Sequence, residues 1–236
     1  MSQGQVVLLA GATGLIGGLT LPGLLRRAEV GNFQVCAPTR RALTLSHPRL
    51  NNVLADASGL AGQKQISDAL RAQGAPVSSF ICALGTTLRA AGSKAAFAAV
   101  DRDMVIALAE IARKNGARQA LLVSSIGANP QSSNFYLQIK GEVEAALLAV
   151  GFERVDILQP SLLLGERAGQ QRAGESIAQH LAPVYNAILA GPLRRYRAID
   201  AKMVAAALVA LCGAAGNGTS RLTYREILDA ASAGSI

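Results

Sequence analysis

The chain has 236 residues, half of them apolar, with 16% charged and only 4% aromatic. That length and composition bury a sizeable core and exclude a disordered chain, and the scarcity of aromatics implies a core of Ala, Leu, Val and Ile, the make-up of helices packed on an aliphatic sheet. Lys and Arg number 23 against 15 Asp and Glu, a net charge of +8, which suits nucleic acid, an anionic membrane surface or a phosphorylated ligand; the basic pairs Arg26-Arg27, Arg40-Arg41 and Arg194-Arg195 lack interleaved aromatics, so no nucleic-acid partner is expected.

Three widely spaced cysteines, Cys36, Cys82 and Cys212, each in an apolar run, suit buried thiols in a reducing compartment. His47 and His180 have no Cys or second His nearby, so no metal site is expected. No apolar run approaches the roughly 18 residues of a spanning helix. The N-terminus enters a strand-like run without a basic flank or cleavage pattern. These features point to a cytoplasmic protein without a membrane span.

Short aliphatic runs alternate with stretches of helical period, the pattern of βαβ units and a parallel sheet covered on both faces. Strands are expected at Gln5 to Ala10, Phe33 to Pro38, Asn52 to Ala55, Ser79 to Ala83, Ala120 to Ser124 and Val155 to Gln159. Helices fall between them at Leu15 to Ala28, Lys64 to Gln73, Lys94 to Asn115 and Asn134 to Val150, with Gly116 as a C-cap leading into the fifth strand. Pro22-Gly23 lies inside the first helix, where proline should kink or split it. Past Gln159 the alternation weakens: a loop from Gly165 to Gly174, a helix to about Ala190, a helix from Ala201 to Cys212 capped by Asp200, a strand at Ser220 to Tyr224 and a closing helix at Glu226 to Ala231. The fold class is therefore α/β, a Rossmann-type doubly wound parallel sheet with a small C-terminal substrate-covering lobe. The chain reads as one domain over 1–236, with the lobe at 160–198.

The strongest local signal is Gly11-Ala12-Thr13-Gly14-Leu15-Ile16-Gly17, a G-x-x-G-x-x-G run that follows a strand and opens a helix. Glycines there let the backbone turn tightly and approach a pyrophosphate, whose charge the helix N-terminus stabilises. Taken without that context, the run is an ordinary tight turn. Some twenty-odd residues on, where an NAD site usually carries an acid for the ribose hydroxyls, stand Thr39-Arg40-Arg41. Arg40 and Arg41 favour NADP(H), because a guanidinium grips a phosphate bidentately; the plainer alternative is two solvated surface arginines. Asp56, after the third strand, either accepts a hydrogen bond from the adenine amino group or caps its loop.

The second constellation is Tyr136-Leu137-Gln138-Ile139-Lys140 on the helix after the fifth strand, with Ser124 and Ser125 at that strand's end. Tyrosine and lysine at i and i+4 share a helix face. An ammonium beside a phenol favours phenolate, which makes Tyr136 a usable general acid and base, while a serine hydroxyl holds a substrate carbonyl or alcohol against it. Alone, a Tyr-x-x-x-Lys match arises often by chance; the glycine run upstream gives it weight.

Taken with Ala83-Leu84-Gly85-Thr86-Thr87, Val100-Asp101-Arg102-Asp103, Val123-Ser124-Ser125-Ile126-Gly127-Ala128, Asn134 to Glu144 and Leu163-Leu164-Gly165-Glu166-Arg167, the sequence resembles the atypical branch of the short-chain dehydrogenase/reductase superfamily that includes the Tat-interacting oxidoreductase and its bacterial relatives. The resemblance runs from about Val6 to Arg167 and more loosely beyond. It implies an NADPH-binding protein, with Gly11, Ala12, Thr13, Gly14 and Gly17 around the pyrophosphate, Arg40 and Arg41 at the 2′-phosphate, Leu84-Gly85-Thr86 beside the adenosine ribose, and Arg167 as a phosphate partner. It puts Tyr136 and Lys140 in the positions of the catalytic pair, with Lys140 also reaching the nicotinamide ribose, and Ser125 ahead of Ser124 as the active serine. Asp101 stands where the wider superfamily often has Asn, Ile126 where extended members place a third serine, and Gln159 where many relatives carry Arg.

The leading expectation is an NADP(H)-dependent oxidoreductase passing hydride to or from a carbonyl or alcohol substrate of unknown identity. A protein that binds NADPH as a sensor or scaffold without turnover is the alternative; an NAD-using sugar-nucleotide epimerase would need a larger C-terminal domain than the roughly 75 residues left. Leu162, Leu163, Tyr185 and Ile188 are candidates for lining a partly apolar substrate pocket, or else for core. Ala-rich helices pack equally well internally or across a dimer, so both monomer and homodimer stay open.

Overall fold

Continuous aliphatic runs make the central strands of the sheet. In the computed structural model, which describes residues 4–165, 189 and 191–234, β1 (Gln5–Ala10) is buried over its whole apolar length, Val6 to Ala10. Its alternate side chains divide between two cores. Val6, Leu8 and Ala10 join Cys36, Phe80 and Cys82 on one face, and Val7 and Leu9 join Val35, Ala37 and Ile81 on the other. Burial on both faces is why these strands read as unbroken hydrophobic runs.

The sheet has seven strands, all parallel, in the order β3-β2-β1-β4-β5-β6-β9. The others are β2 (Phe33–Thr39), β3 (Leu50–Leu54), β4 (Val77–Cys82), β5 (Gln119–Val123), β6 (Arg154–Leu158) and β9 (Gly218–Leu222), while β7 (Leu163–Leu164) and β8 (Ile199–Asp200) form a separate two-stranded ladder. One face is covered by α2 (Leu60–Ala72), α5 (Met104–Lys114) and α6 (Phe135–Ala149) through Ile66, Leu70, Leu108, Val143 and Leu147. The other is covered by α1 (Leu15–Val30), α7 (Ala201–Leu211) and α8 (Tyr224–Ala233) through Leu21, Leu24, Val204, Leu208 and Ile227. This is the Rossmann-type doubly wound sheet. Its strand order reverses between β1 and β4, the switch point where such sheets bind ligands.

Several expected boundaries move for identifiable reasons. Pro22 lies within α1, yet the helix continues to Val30. Four buried aliphatics, Leu21, Leu24, Leu25 and Ala28, follow or flank the proline, and their packing outweighs the roughly 3 kcal/mol cost of a helical proline. At the neighbouring Gly23 a Cβ would stand 2.8 Å from Val209 Cγ2, so a residue without a side chain lets α1 and α7 approach.

The helix expected over Lys94 to Asn115 is α4 (Lys94–Ala98), then a π-helical turn at Ala99–Asp103, then α5. A short α3 (Leu88–Ala91), capped by Thr87, precedes it. The last strand ends at Leu222 and not at Tyr224, because Thr223 and Glu226 form a capping box that starts α8 at Tyr224. Gly116 takes φ of 105°, as expected just past a helix end. The helix expected up to Ala190, Tyr185, Ile188 and most of the 160–198 lobe lie outside the described residues.

Candidate functional site

Where β1 and β4 diverge, a cleft of about 1150 Å³ opens at their C-terminal ends. One wall is Thr13 to Ile16 with Gly18 and Leu19, the next is Ala83 to Thr86, and the floor carries Val123, Ser124, Tyr136, Lys140 and Asp101. Leu163 to Gly165, Asp200 and Lys202 close the far side.

The glycines of the first turn do different jobs. Gly11 has φ of 89°, and a Cβ on it would lie 2.6 Å from the Ala83 carbonyl oxygen; a Cβ on Gly17 would lie 2.1 Å from the Gly11 carbonyl oxygen. Both seat α1 on the sheet and neither lines the cleft, and Ala12 is buried beside them. Thr13, Gly14, Leu15 and Ile16 line it. Gly14 is the N-cap of α1 and leaves the first turn without a side-chain cap, at the mouth of the cleft, an arrangement that fits a pyrophosphate. A Cβ on Gly14 would meet only the Gly11 carbonyl oxygen at 3.3 Å and that of Ala83 at 3.8 Å. Gly17→Ala is therefore expected to destabilise the fold by about 1 to 3 kcal/mol through overpacking, and Gly14→Ala by clearly less; equal urea midpoints for the two variants would contradict this division.

Tyr136 and Lys140 lie on one face of α6 and both line the cleft. The Tyr136 ring meets the buried Phe97 edge-on at 6.0 Å between centroids, and the Lys140 ammonium lies 5.9 Å from the Tyr136 ring centroid. Lys140 is buried and its Nζ donates to Asp101 Oδ1 at 2.9 Å, while Asp101 Oδ2 accepts from the Thr86 backbone N–H at 2.8 Å. Burial by itself pushes the Lys140 ammonium down, but Asp101, with a smaller contribution from Tyr136, outweighs it and holds the group above the ordinary lysine value. Asp101 sits in the π-helical turn, a feature that often marks functional sites. A single buried carboxylate thus joins the loop after β4 to the lysine of α6.

The serines separate. Ser124 lines the cleft and donates to Glu144 Oε1 at 2.5 Å. Ser125 is outside the lining, and its Oγ donates to the Ile126 carbonyl oxygen at 3.4 Å. Glu144, buried on α6, also accepts from Gln159 Nε2 at 2.8 Å. No role was expected for it, although Tyr136, Lys140 and Glu144 stand at i, i+4 and i+8 and share a helical face. Gly141 lets the loop after β5 close on that helix, since a Cβ there would lie 2.3 Å from Asn129 and Pro130 backbone atoms.

Among the cofactor candidates, Leu84, Gly85 and Thr86 line the cleft. Arg40 and Arg41 follow the end of β2 and are exposed, outside the cleft lining. Asp56 caps its loop, accepting from the Ser58 N–H at 3.0 Å; that bond, with the nearby Arg40, holds its carboxyl below the usual range. Arg167 lies outside the described residues. Gly18, Leu19, Asp200 and Lys202 join the lining unforeseen, because only the fold brings α1 and the start of α7 together. Among the described residues no group of three or more metal-ligating side chains occurs, and no helix is long and apolar enough to cross a membrane.

Comparisons with known proteins agree with this fold. The chain is 36% identical over 177 residues to the rat protein HTATIP2, covering 75% of this chain and 70% of that one. It is 32% identical over 226 residues to the Emericella nidulans protein fmp52, covering 92% and 94%. A Caenorhabditis elegans short-chain dehydrogenase/reductase solved with cofactor superposes with a TM-score of 0.66 at 17% identity, over 93% of each chain. MoeE5 in complex with UDP-glucose and NAD superposes with a TM-score of 0.66 at 16% identity, over 94% of this chain and 76% of that one. The Emericella nidulans relative and those from Candida albicans and Saccharomyces cerevisiae are named mitochondrial. Those names overturn the expectation of a cytoplasmic protein, which had rested only on the lack of a targeting pattern and on cysteine usage. A family model described as NAD(P)H-binding matches residues 11–212, and with the glycine turn, the switch-point cleft and these relatives in agreement, the chain belongs to that NAD(P)H-binding family, on a fold shared with the short-chain dehydrogenase/reductases.

Proposed function

We propose that the protein is an NADP(H)-dependent oxidoreductase acting on a carbonyl or alcohol substrate. The observation that carries this reading is the pairing of Tyr136 with Lys140 on one helix face, both opening into the cleft across from the capless N-terminus of α1. When bound, the nicotinamide supplies the hydride for the substrate carbon, or receives it in the reverse direction. The chain's own residues do the rest. Thr13 to Ile16 hold the pyrophosphate, and Leu84 to Thr86 lie against the adenosine side. As the carbonyl π bond opens, the Tyr136 hydroxyl gives its proton to the oxygen, and in oxidation takes it back. The Lys140 ammonium offsets the charge left on the phenol oxygen, and Asp101 keeps that ammonium in place.

NADPH specificity is assigned to Arg40 and Arg41, whose exposed position at the end of β2 suits a 2′-phosphate. Arg40→Ala should lose NADPH affinity by about 10- to 100-fold, the worth of a charge-assisted bond of roughly 1.5 to 3 kcal/mol, and leave NADH affinity unchanged. Calorimetric titration with both cofactors checks this; an unaltered preference rejects the assignment. The catalytic claim itself is tested by following NADPH absorbance across a panel of aldehydes and ketones. A second reading, an NADPH-binding sensor, draws on the Asp101–Lys140 pair, since a carboxylate 2.9 Å away offsets the charge that would assist the phenol.

A further inference from the structure

The backbone that carries Arg40 and Arg41 is held by one side chain of the neighbouring strand. Asn52 lies on β3 opposite Ala37 of β2, and its Nδ2 donates to the Ala37 carbonyl oxygen at 2.8 Å and to Thr39 Oγ1 at 2.7 Å. Its Oδ1 accepts from the Leu43 backbone N–H at 2.9 Å. These partners fix which way the amide faces, because turning it over would set N–H against N–H and oxygen against oxygen. They fix the Thr39 hydroxyl as well. Its oxygen accepts from Asn52, and its proton goes to the Arg41 carbonyl oxygen at 2.7 Å. Thr39 is buried and Asn52 half-buried, so water competes weakly for these bonds.

The arginines are thus clamped from both sides. Thr39 precedes them, Leu43 follows them and the Arg41 carbonyl is itself held. Among the described residues neither guanidinium makes a hydrogen bond or an ion pair, and Arg40 acts on Asp56 only through space. An ordered backbone with free cationic heads suits a phosphate, since the ligand has no loop to order and no acid to displace. Neither Asn52 nor Thr39 lines the cleft. We infer that Asn52 and Thr39 are positioning residues for cofactor choice, holding the loop after β2 in the conformation that presents Arg40 and Arg41 to a 2′-phosphate. The inference rests on the assignment of those two arginines to NADPH, and a cofactor without the 2′-phosphate gains nothing from the clamp.

Calorimetric titration of the full chain with NADPH and NADH tests this in the wild type, Arg40→Ala, Asn52→Ala, Thr39→Val and Thr39→Ser. Valine has the shape of threonine without its hydroxyl, and serine keeps the hydroxyl. Asn52→Ala and Thr39→Val should each weaken NADPH by about 10-fold, as when a tenth of the molecules keep the competent loop, and NADH by less than about 2-fold. Thr39→Ser should stay within about 2-fold of the wild type for both. In the cofactor-free protein, trypsin should cut after Arg40 and Arg41 at least about 10-fold faster in Asn52→Ala and Thr39→Val, with cleavage after Arg89 unchanged. Equal affinity of the wild type for the two cofactors, or an unaltered preference in Arg40→Ala, rejects the reading of the arginines and the inference with it. Loss of the preference in Arg40→Ala with its retention in either Asn52→Ala or Thr39→Val overturns the inference and leaves that reading standing. An equal fall for both cofactors, or a matching loss in Thr39→Ser, gives the two residues a structural role alone and also overturns it. Wild-type cleavage after Arg40 and Arg41 in both variants refutes the clamp whatever the affinities.

Discussion

Tyr136→Phe is expected to fold and to bind NADPH nearly as the wild type does, yet to lose turnover by about 10²- to 10⁴-fold, the usual loss when a general acid is removed. The ring is anchored by its edge-on contact with Phe97 at 6.0 Å, and phenylalanine keeps that contact. Only the oxygen that exchanges the proton is gone. Lys140→Met is a different perturbation. It removes the ammonium near the phenol and leaves the buried Asp101 carboxylate without its counter-charge, held by the Thr86 N–H, so cofactor affinity, rate and stability should fall together. Steady-state rates paired with NADPH titration separate the two variants. Wild-type turnover in Tyr136→Phe would reject the proposed proton transfer, and an absence of any substrate with tight NADPH binding would favour the sensor.

The second large effect is expected at Asp101. Removing one partner of a buried ion pair typically costs about 3 to 5 kcal/mol, because the other charge is left without compensation. Asp101 and Lys140 are 1% and 6% exposed, so little solvent screening softens the loss. Asp101→Ala should therefore unfold at much lower urea, and Asp101→Asn, which retains an acceptor for the Thr86 N–H, should fall between. The pH dependence has a definite sign. In the wild type Lys140 is held above its ordinary value near 10.5, so the pair's contribution is complete below that pH and is lost as pH rises through the raised value. Without Asp101 the lysine loses the largest influence that opposes burial, and burial pushes it down. The deficit of Asp101→Ala should thus be greatest near neutral pH and shrink as the medium becomes alkaline enough to deprotonate lysine in the unfolded chain. A deficit that does not change with pH would assign Asp101 a purely packing role.

The order and kind of the main elements were legible in the sequence because the physics behind them is local. Val6 to Ala10 could only be a strand buried on both faces, the glycine turn from Gly11 to Gly17 could only sit between a strand and a helix, and Tyr136 with Lys140 had to share a face whatever surrounded them. The capping box of Thr223 and Glu226 was equally local and marks the true start of the last helix. What the sequence left open depended on groups far apart in the chain. Pro22 stays inside a continuous helix because α7, about 180 residues later, covers its apolar flank. Asp101 acquires its meaning from Lys140, 39 residues away, and Ser124 from Glu144 and Gln159, 20 and 35 residues on. Hydrogen-bond direction and charge compensation are properties of assembled neighbours, and no periodicity along one segment encodes them. The sequence by itself determined a dinucleotide-binding sheet with a phenol and an ammonium at its switch point. The tertiary structure alone decided that the ammonium is paired with Asp101 and that Ser124, not Ser125, lines the cleft.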